Sequence, residues 1–246
     1  MTDQQADLAP MPEDWQRCLA IVAHPDDLEY GASGAVAAWT DAGREVAYLL
    51  VTRGEAGIDG IPPEHAAAIR EREQQASAAA VGVRSVEFLD HQDGVIEEGL
   101  ALRRELARAI RRHRPELVVT LNHHDTWGPG SWNTPDHRAV GRAALDAVGD
   151  AGNRWIFPEL VGEGIEPWNG VRWVAVAASP YPSHAVDVSS TLDRAIASLA
   201  EHRAYIEEIS DRDPVAYARE LLTGFAREAA ARFGGRLATT FELVSL

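Results

Sequence analysis

Leu19-Ala20-Ile21-Val22-Ala23-His24-Pro25-Asp26-Asp27-Leu28-Glu29 is an apolar run that ends abruptly in one imidazole and three carboxylates. The apolar part reads as a buried strand. Pro25 lacks an amide hydrogen and fixes φ, so the ladder stops there. The polar groups then project from the carboxyl end of a central strand, where open α/β sheets hold their ligands. A loop, unlike a helix, can turn His24, Asp26 and Asp27 towards one point. An imidazole with a carboxylate suits zinc or a similar divalent ion. A second carboxylate left off the metal suits a general base. Aspartate is also a good N-cap, which accounts for one of the pair but not for all three polar groups. Buried charge needs a partner, and a cation supplies one.

Working outward, residues 31–42 read as an Ala-rich helix stopped by Gly43, and residues 45–52 as a second apolar strand. Strand, helix and strand in that order predict a right-handed crossover onto a parallel sheet. Gly31-Ala32-Ser33-Gly34 lacks both the dinucleotide-binding and the nucleophile-elbow spacing, so close helix packing is its expected role. Residues 63–81 predict a long helix with Arg70, Glu71, Arg72 and Glu73 on its wet side. Gly54 and Gly57 form a loop able to approach a ligand. Strands are expected at 83–89, 116–121, 171–178, 185–188 and 237–246. Helices are expected at 100–113, with its arginines facing water, from 189 past His202, and at 214–233. Residues 122–133, with His123, His124, Asp125, Trp127 and Trp132, read as a long polar loop overhanging the same crevice. Thr134 as N-cap and Pro135 at the first helical position open a further helix, which places His137 in its first turn.

Four blocks together resemble the LmbE-like, or PIG-L, family of zinc-dependent N-deacetylases. They are Ala23-His24-Pro25-Asp26-Asp27-Leu28-Glu29, Leu50-Val51-Thr52-Arg53-Gly54-Glu55-Ala56-Gly57, Phe88-Leu89-Asp90-His91-Gln92-Asp93 and Pro135-Asp136-His137-Arg138. The resemblance runs from about Leu19 to the C-terminal strand. It implies an α/β, three-layer Rossmann-like fold with a mainly parallel central sheet and helices on both faces. It implies removal of an acetyl group from an N-acetylated amino sugar or related small molecule. His24, Asp27 and His137 are then the expected metal ligands, for Zn2+ or another divalent ion such as Fe2+, and Asp26 is the expected general base. Asp136 is expected to hydrogen-bond a ligating or catalytic histidine. Arg53, Glu55, Asp93 and Trp132 are expected at the substrate. Many members carry histidine where Thr134 stands, in the role of oxyanion stabiliser or acid for the leaving amine. His124, or else His123, is expected to replace it. Two alternatives keep parts of this picture: an amidase acting on a different amide, and a non-catalytic small-molecule-binding relative.

A formal net charge of −15 over 246 residues argues against nonspecific binding to nucleic acid or anionic membrane. Cys18, the single cysteine, excludes an internal disulfide and a cysteine-based metal cluster, and reads as a small buried residue. Residues 1–14 are polar and acidic, without the pattern of a signal peptide, and no run is long and apolar enough to span a bilayer. A cytoplasmic protein is expected. Residues 1–16 are expected to be a flexible tail and 17–246 a single domain. The Pro/Gly/Trp segment at 153–168 suits a pocket wall or the contact of a homo-oligomer.

Overall fold

The computed structural model describes residues 7–245. The chain passes through β1 (Ala9–Pro10), β2 (Arg17–Val22), α1 (Asp27–Gly31), α2 (Ser33–Asp41), β3 (Glu45–Leu50), α3 (Pro63–Ala80), β4 (Ser85–Phe88), α4 (Leu100–His113) and β5 (Leu117–Leu121). A hairpin of β6 (Thr126–Gly128) and β7 (Ser131–Trp132) leads into α5 (Pro135–Gly152), α6 (Pro158–Gly162) and β8 (Trp173–Ala177). Then come β9 (His184–Asp187), α7 (Leu192–Ala200), α8 (Arg203–Ile209), α9 (Pro214–Ala230) and β10 (Ala238–Ser245).

Eight strands form one sheet in the order β1-β9-β10-β8-β5-β2-β3-β4. Within it β10 alone runs against the others. β2 lies between β3 and β5, both parallel to it. Successive side chains of β2 enter opposite layers, as strand geometry requires. Cys18, Ala20 and Val22 meet Trp15, Val36, Trp39 and Phe241 on one face. Leu19, Ile21 and Ala23 meet Leu106, Ile110, Val140 and Ala144 on the other. The fold is the expected three-layer, mainly parallel α/β arrangement. From β2 the chain moves outward to β3 and β4, then returns to place β5 on the other side. The carboxyl ends of β2 and β5 therefore flank a switch point, the favoured ligand crevice of such sheets.

Four local expectations are corrected. Residues 7–16 are not a flexible tail. Ala9 and Pro10 pair with β9, and Leu8, Met11 and Trp15 are buried, with Trp15 edge-on to Trp39 at 5.2 Å. Residues 1–6 lie outside the described residues. The helix expected from 189 past His202 is two, because the chain turns at His202 between α7 and α8. The loop at 122–133 contains the β6–β7 hairpin, braced by Asn133, whose amide donates to the carbonyls of Asn122 and His124. Two arginines assigned to water are buried. Arg111 reaches the carbonyls of Asp150, Ala151, Asn153 and Ile156 at the end of α5, and so satisfies groups that a helix terminus leaves open. Arg70 is taken up below.

Close seating of α5 rests on Gly141. A Cβ there would stand 2.6 Å from the His123 Cβ and 2.9 Å from the Leu121 carbonyl oxygen. Helix and strand-end backbone thus meet where α5 completes its second turn.

Candidate metal centre and its surroundings

Thr134 and Pro135 start α5 as the cap rules require, with the Thr134 hydroxyl accepting from the His137 amide. This first turn points His137 at the loop that leaves β2. There His24 Nδ1 lies 3.2 Å from His137 Nε2, and Asp27 Oδ1 lies 3.0 Å from that same nitrogen. Asp27 Oδ2 accepts the amides of Ala23 and His24 at 3.0 and 2.9 Å, which fixes the carboxylate.

The outer bonds decide what these three atoms are. His24 Nε2 faces Asp93 Oδ1 at 3.1 Å and Asp136 Oδ2 at 3.2 Å, both acceptors only. The proton therefore sits on Nε2 and Nδ1 presents a lone pair. His137 Nδ1 faces Asn133 Oδ1 at 3.2 Å. That oxygen is identified by its bond from the Thr134 amide and by the two carbonyls that take up the Asn133 amino group. His137 Nε2 is then a lone pair too. Two imidazole nitrogens and a carboxylate oxygen converge here, an arrangement that could hold a metal ion. Two histidines and one carboxylate, with the outer partners setting both tautomers, fit zinc or iron(II) and leave room for a further ligand. A second cluster of His24, Asp93 and Asp136 uses the other nitrogen of the same ring and orients it.

Charge follows geometry. Burial opposes charge on His24, but Asp136, Asp27 and Asp93 outweigh it and favour a proton on Nδ1 as well, at the place a bound cation would take. Burial would raise the Asp27 carboxyl, yet the imidazoles of His137 and His24 hold it far below the usual carboxylate range. Burial pushes Asp26 up to about 6, against the pull of Arg70.

Asp26 neighbours this group without joining it. It adopts φ 82°, an uncommon conformation for a residue other than glycine. Its amide donates to Gln74 Oε1 at 3.0 Å, and its Oδ2 accepts from Arg70 Nη2 at 2.9 Å. Arg70, Gln74 and Ser77 form a buried polar stripe along α3. Gln74 and Ser77 also bond Glu29 Oε1, which is buried beside His202. The sequence reading puts Arg70 in water and does not point to Gln74 or Ser77. Their spacing of four and three residues, beside the buried Ala66 and Ala78 on α3, is the signal that would have found them.

The remaining site residues are placed as follows. Arg53 bonds Glu71, Asp90 and the Leu89 carbonyl. Glu55 and Asp93 clasp each other's loops: Glu55 Oε1 accepts the Asp93 amide and Asp93 Oδ2 accepts the Ala56 amide. Asp136 also accepts the amides of Gly94 and Ile96, tying the same loop to α5. Trp132 stands exposed on the hairpin with Arg138 over its ring at 4.8 Å. His124 is not brought to the ligand group. Its Nε2 bonds Glu242 at 2.7 Å and its ring meets Tyr181. His123 packs on His124 and under Gly141. The hairpin side chain that touches His137 is Trp127, edge-on at 5.4 Å.

Known proteins bear on this arrangement. The PIG-L family, described as GlcNAc-PI de-N-acetylase, matches residues 19–148. A diacetylchitobiose deacetylase from Thermococcus kodakarensis is 31% identical over 197 residues, covering 79% of this chain and 72% of that protein. A 1D-myo-inositol 2-acetamido-2-deoxy-alpha-D-glucopyranoside deacetylase from Thermomonospora curvata is 28% identical over 82% of this chain and 70% of its own length. The solved structure of N,N'-diacetylchitobiose deacetylase from Pyrococcus horikoshii shares the fold at TM-score 0.85 and 24% identity, covering 94% of this chain and 85% of that one. With a match across more than half its length, this chain belongs to the PIG-L family.

Proposed function

We propose that this protein is a metal-dependent hydrolase that removes the acetyl group of an N-acetylated amino sugar or a related small molecule. The observation that carries this reading is the convergence of two imidazole lone pairs and a carboxylate oxygen beside a carboxylate that stays off the group. His24, Asp27 and His137 hold the ion, which we take to be zinc, with iron(II) the alternative. When bound, such an ion polarises a carbonyl and lowers the pKa of a bound water to about 7.

The other tasks fall to this chain's own side chains. Asp26 takes the proton of the attacking water and returns it to the departing amine, so that acetate and a free amine leave. A carboxyl raised to about 6 suits both halves of that exchange. Asp93 and Asp136 hold His24 in the ligating tautomer. Arg53 and Glu55 hold the segment after β4 that brings Asp93 to His24, and the exposed face of Trp132 offers a surface for a sugar ring. Residues 17–246 act as one catalytic domain, with residues 7–16 packed against it.

Acetate release across N-acetylated sugars and their glycosides tests the reading, alongside elemental analysis of protein purified without chelator. One divalent ion per chain and acetate formation are expected. A His24→Ala protein that keeps its full metal content would overturn the ligand assignment. Amine release without acetate would point to a different amide.

A further inference from the structure

We infer that Arg70 is a positioning residue that clamps one oxygen of Asp26 and leaves the other free to act on substrate. The inference rests on the reading of Asp26 as general base. Arg70 Nη2 donates to Asp26 Oδ2 at 2.9 Å and to the Pro25 carbonyl at 2.7 Å, while Nη1 donates to the Gly54 carbonyl at 2.9 Å. Tyr205 covers the guanidinium at 4.6 Å. Among the described residues, nothing bonds Asp26 Oδ1. Arg70 thus uses a planar fork, fixed at three carbonyl or carboxylate oxygens, to set which Asp26 oxygen is available.

Two further observations point the same way. Asp26 sits in a strained backbone conformation that persists only where its surroundings over-determine it. Arg70 and Gln74, one turn apart on α3, grip that residue at its side chain, its amide and the preceding carbonyl. The loop after β3 is also shaped around the guanidinium. A Cβ on Gly54 or on Gly57 would collide with Arg70 Nη1. The close approach these glycines allow is to Arg70, not to a ligand.

The test compares variants in acetate release, with N,N'-diacetylchitobiose as the first probe and the fastest sugar of the screen thereafter. Arg70→Ala is expected to lower kcat about 100-fold, the usual effect of misplacing a catalytic group by about 1 Å, with KM and metal content kept. Added guanidinium should restore part of that loss. Gly57→Ala removes no polar group and needs no left-handed backbone; its Cβ would collide with Arg70 Nη1 and, less closely, meet the Gly54 carbonyl oxygen at 3.2 Å, so it serves even where Arg70→Ala does not fold. It should lower kcat in the same way without guanidinium rescue.

The double variant Asp26→Asn/Arg70→Ala decides between positioning and mere structure. If Arg70 acts through Asp26, it turns over no more slowly than Asp26→Asn alone. Multiplying losses would overturn the inference. So would wild-type kcat in both Arg70→Ala and Gly57→Ala while Asp26→Asn is impaired. Wild-type turnover in Asp26→Asn would instead remove the general-base reading itself. Should no probe be turned over, the crystal structure of Gly57→Ala answers: a rotated Asp26 carboxylate supports the clamp, and an unmoved one overturns it.

Discussion

Two helical contacts around β2, one on each side of the sheet, are built by opposite means. On one side α4 and α5 press Leu102, Leu106, Ile110, Val140, Ala143 and Ala147 against β2 and β5, an apolar contact throughout. On the other side α3 turns Arg70, Gln74 and Ser77 inward, and these grip the loop and short helix that follow β2. Apolar contact is non-directional and tolerates small shifts. Hydrogen bonds are directional and fail when a partner moves. The α4–α5 contact therefore supplies stability, and the polar stripe of α3 supplies orientation. Burying so much polarity is tolerable because nearly every group in the stripe has a partner.

That division can be broken or sharpened. The largest effect is expected at the point the stripe serves: Asp26→Asn should keep metal and fold but lose about 10²–10⁴-fold in turnover, read by initial rates and elemental analysis. If Asp26→Asn instead strips the metal while Asp27→Asn keeps it, the two aspartates exchange roles. On the apolar face, Ile110→Ala should lower unfolding free energy by about 2–5 kcal/mol in urea while the folded enzyme keeps its kcat. A fall in kcat there would erase the contrast between the two contacts. On the polar face, Ser77→Ala removes the 2.6 Å bond to Glu29 and should cost about 1–3 kcal/mol, with turnover falling as well. The smallest effect belongs to the surface. Arg203→Ala, which breaks an exposed pair with Glu207 on α8, should shift stability by less than about 0.5 kcal/mol in a thermal melt.

Which of these features the sequence discloses depends on how local their causes are. The β2 strand and its polar end are legible because a run of apolar residues followed by proline is a local signal. So is the Thr134-Pro135 start of α5. Arg70 is not legible in that way. Its polar character argues for water, and its partners lie 16 and 44 residues away, so only the assembled fold shows why it is buried. His124 misleads for the same reason. Its place in a polar loop next to the ligand helix suggests the site, but Glu242, 118 residues on, holds its ring. Leu8, Met11 and Trp15 are isolated apolar residues in a polar stretch, without the period that marks an element, and their burial depends on β9, α2 and α9.

Gly141 bears on any attempt to move this chemistry to another protein. The Thr-Pro-Asp-His turn supplies the proposed ligand His137 and the Asp136 carboxylate that bonds His24, and it looks self-contained at four residues. It is not portable in that form. One turn beyond His137, α5 comes so near the end of β5 that a methyl group would stand 2.9 Å from the Leu121 carbonyl oxygen. A graft that carries the turn but places any larger residue at the position of Gly141 would lift the helix, and with it the imidazole, away from its partners. The smallest transplantable unit runs from Asn133, which faces His137 Nδ1, through Gly141, together with a strand end that a helix can touch backbone to backbone.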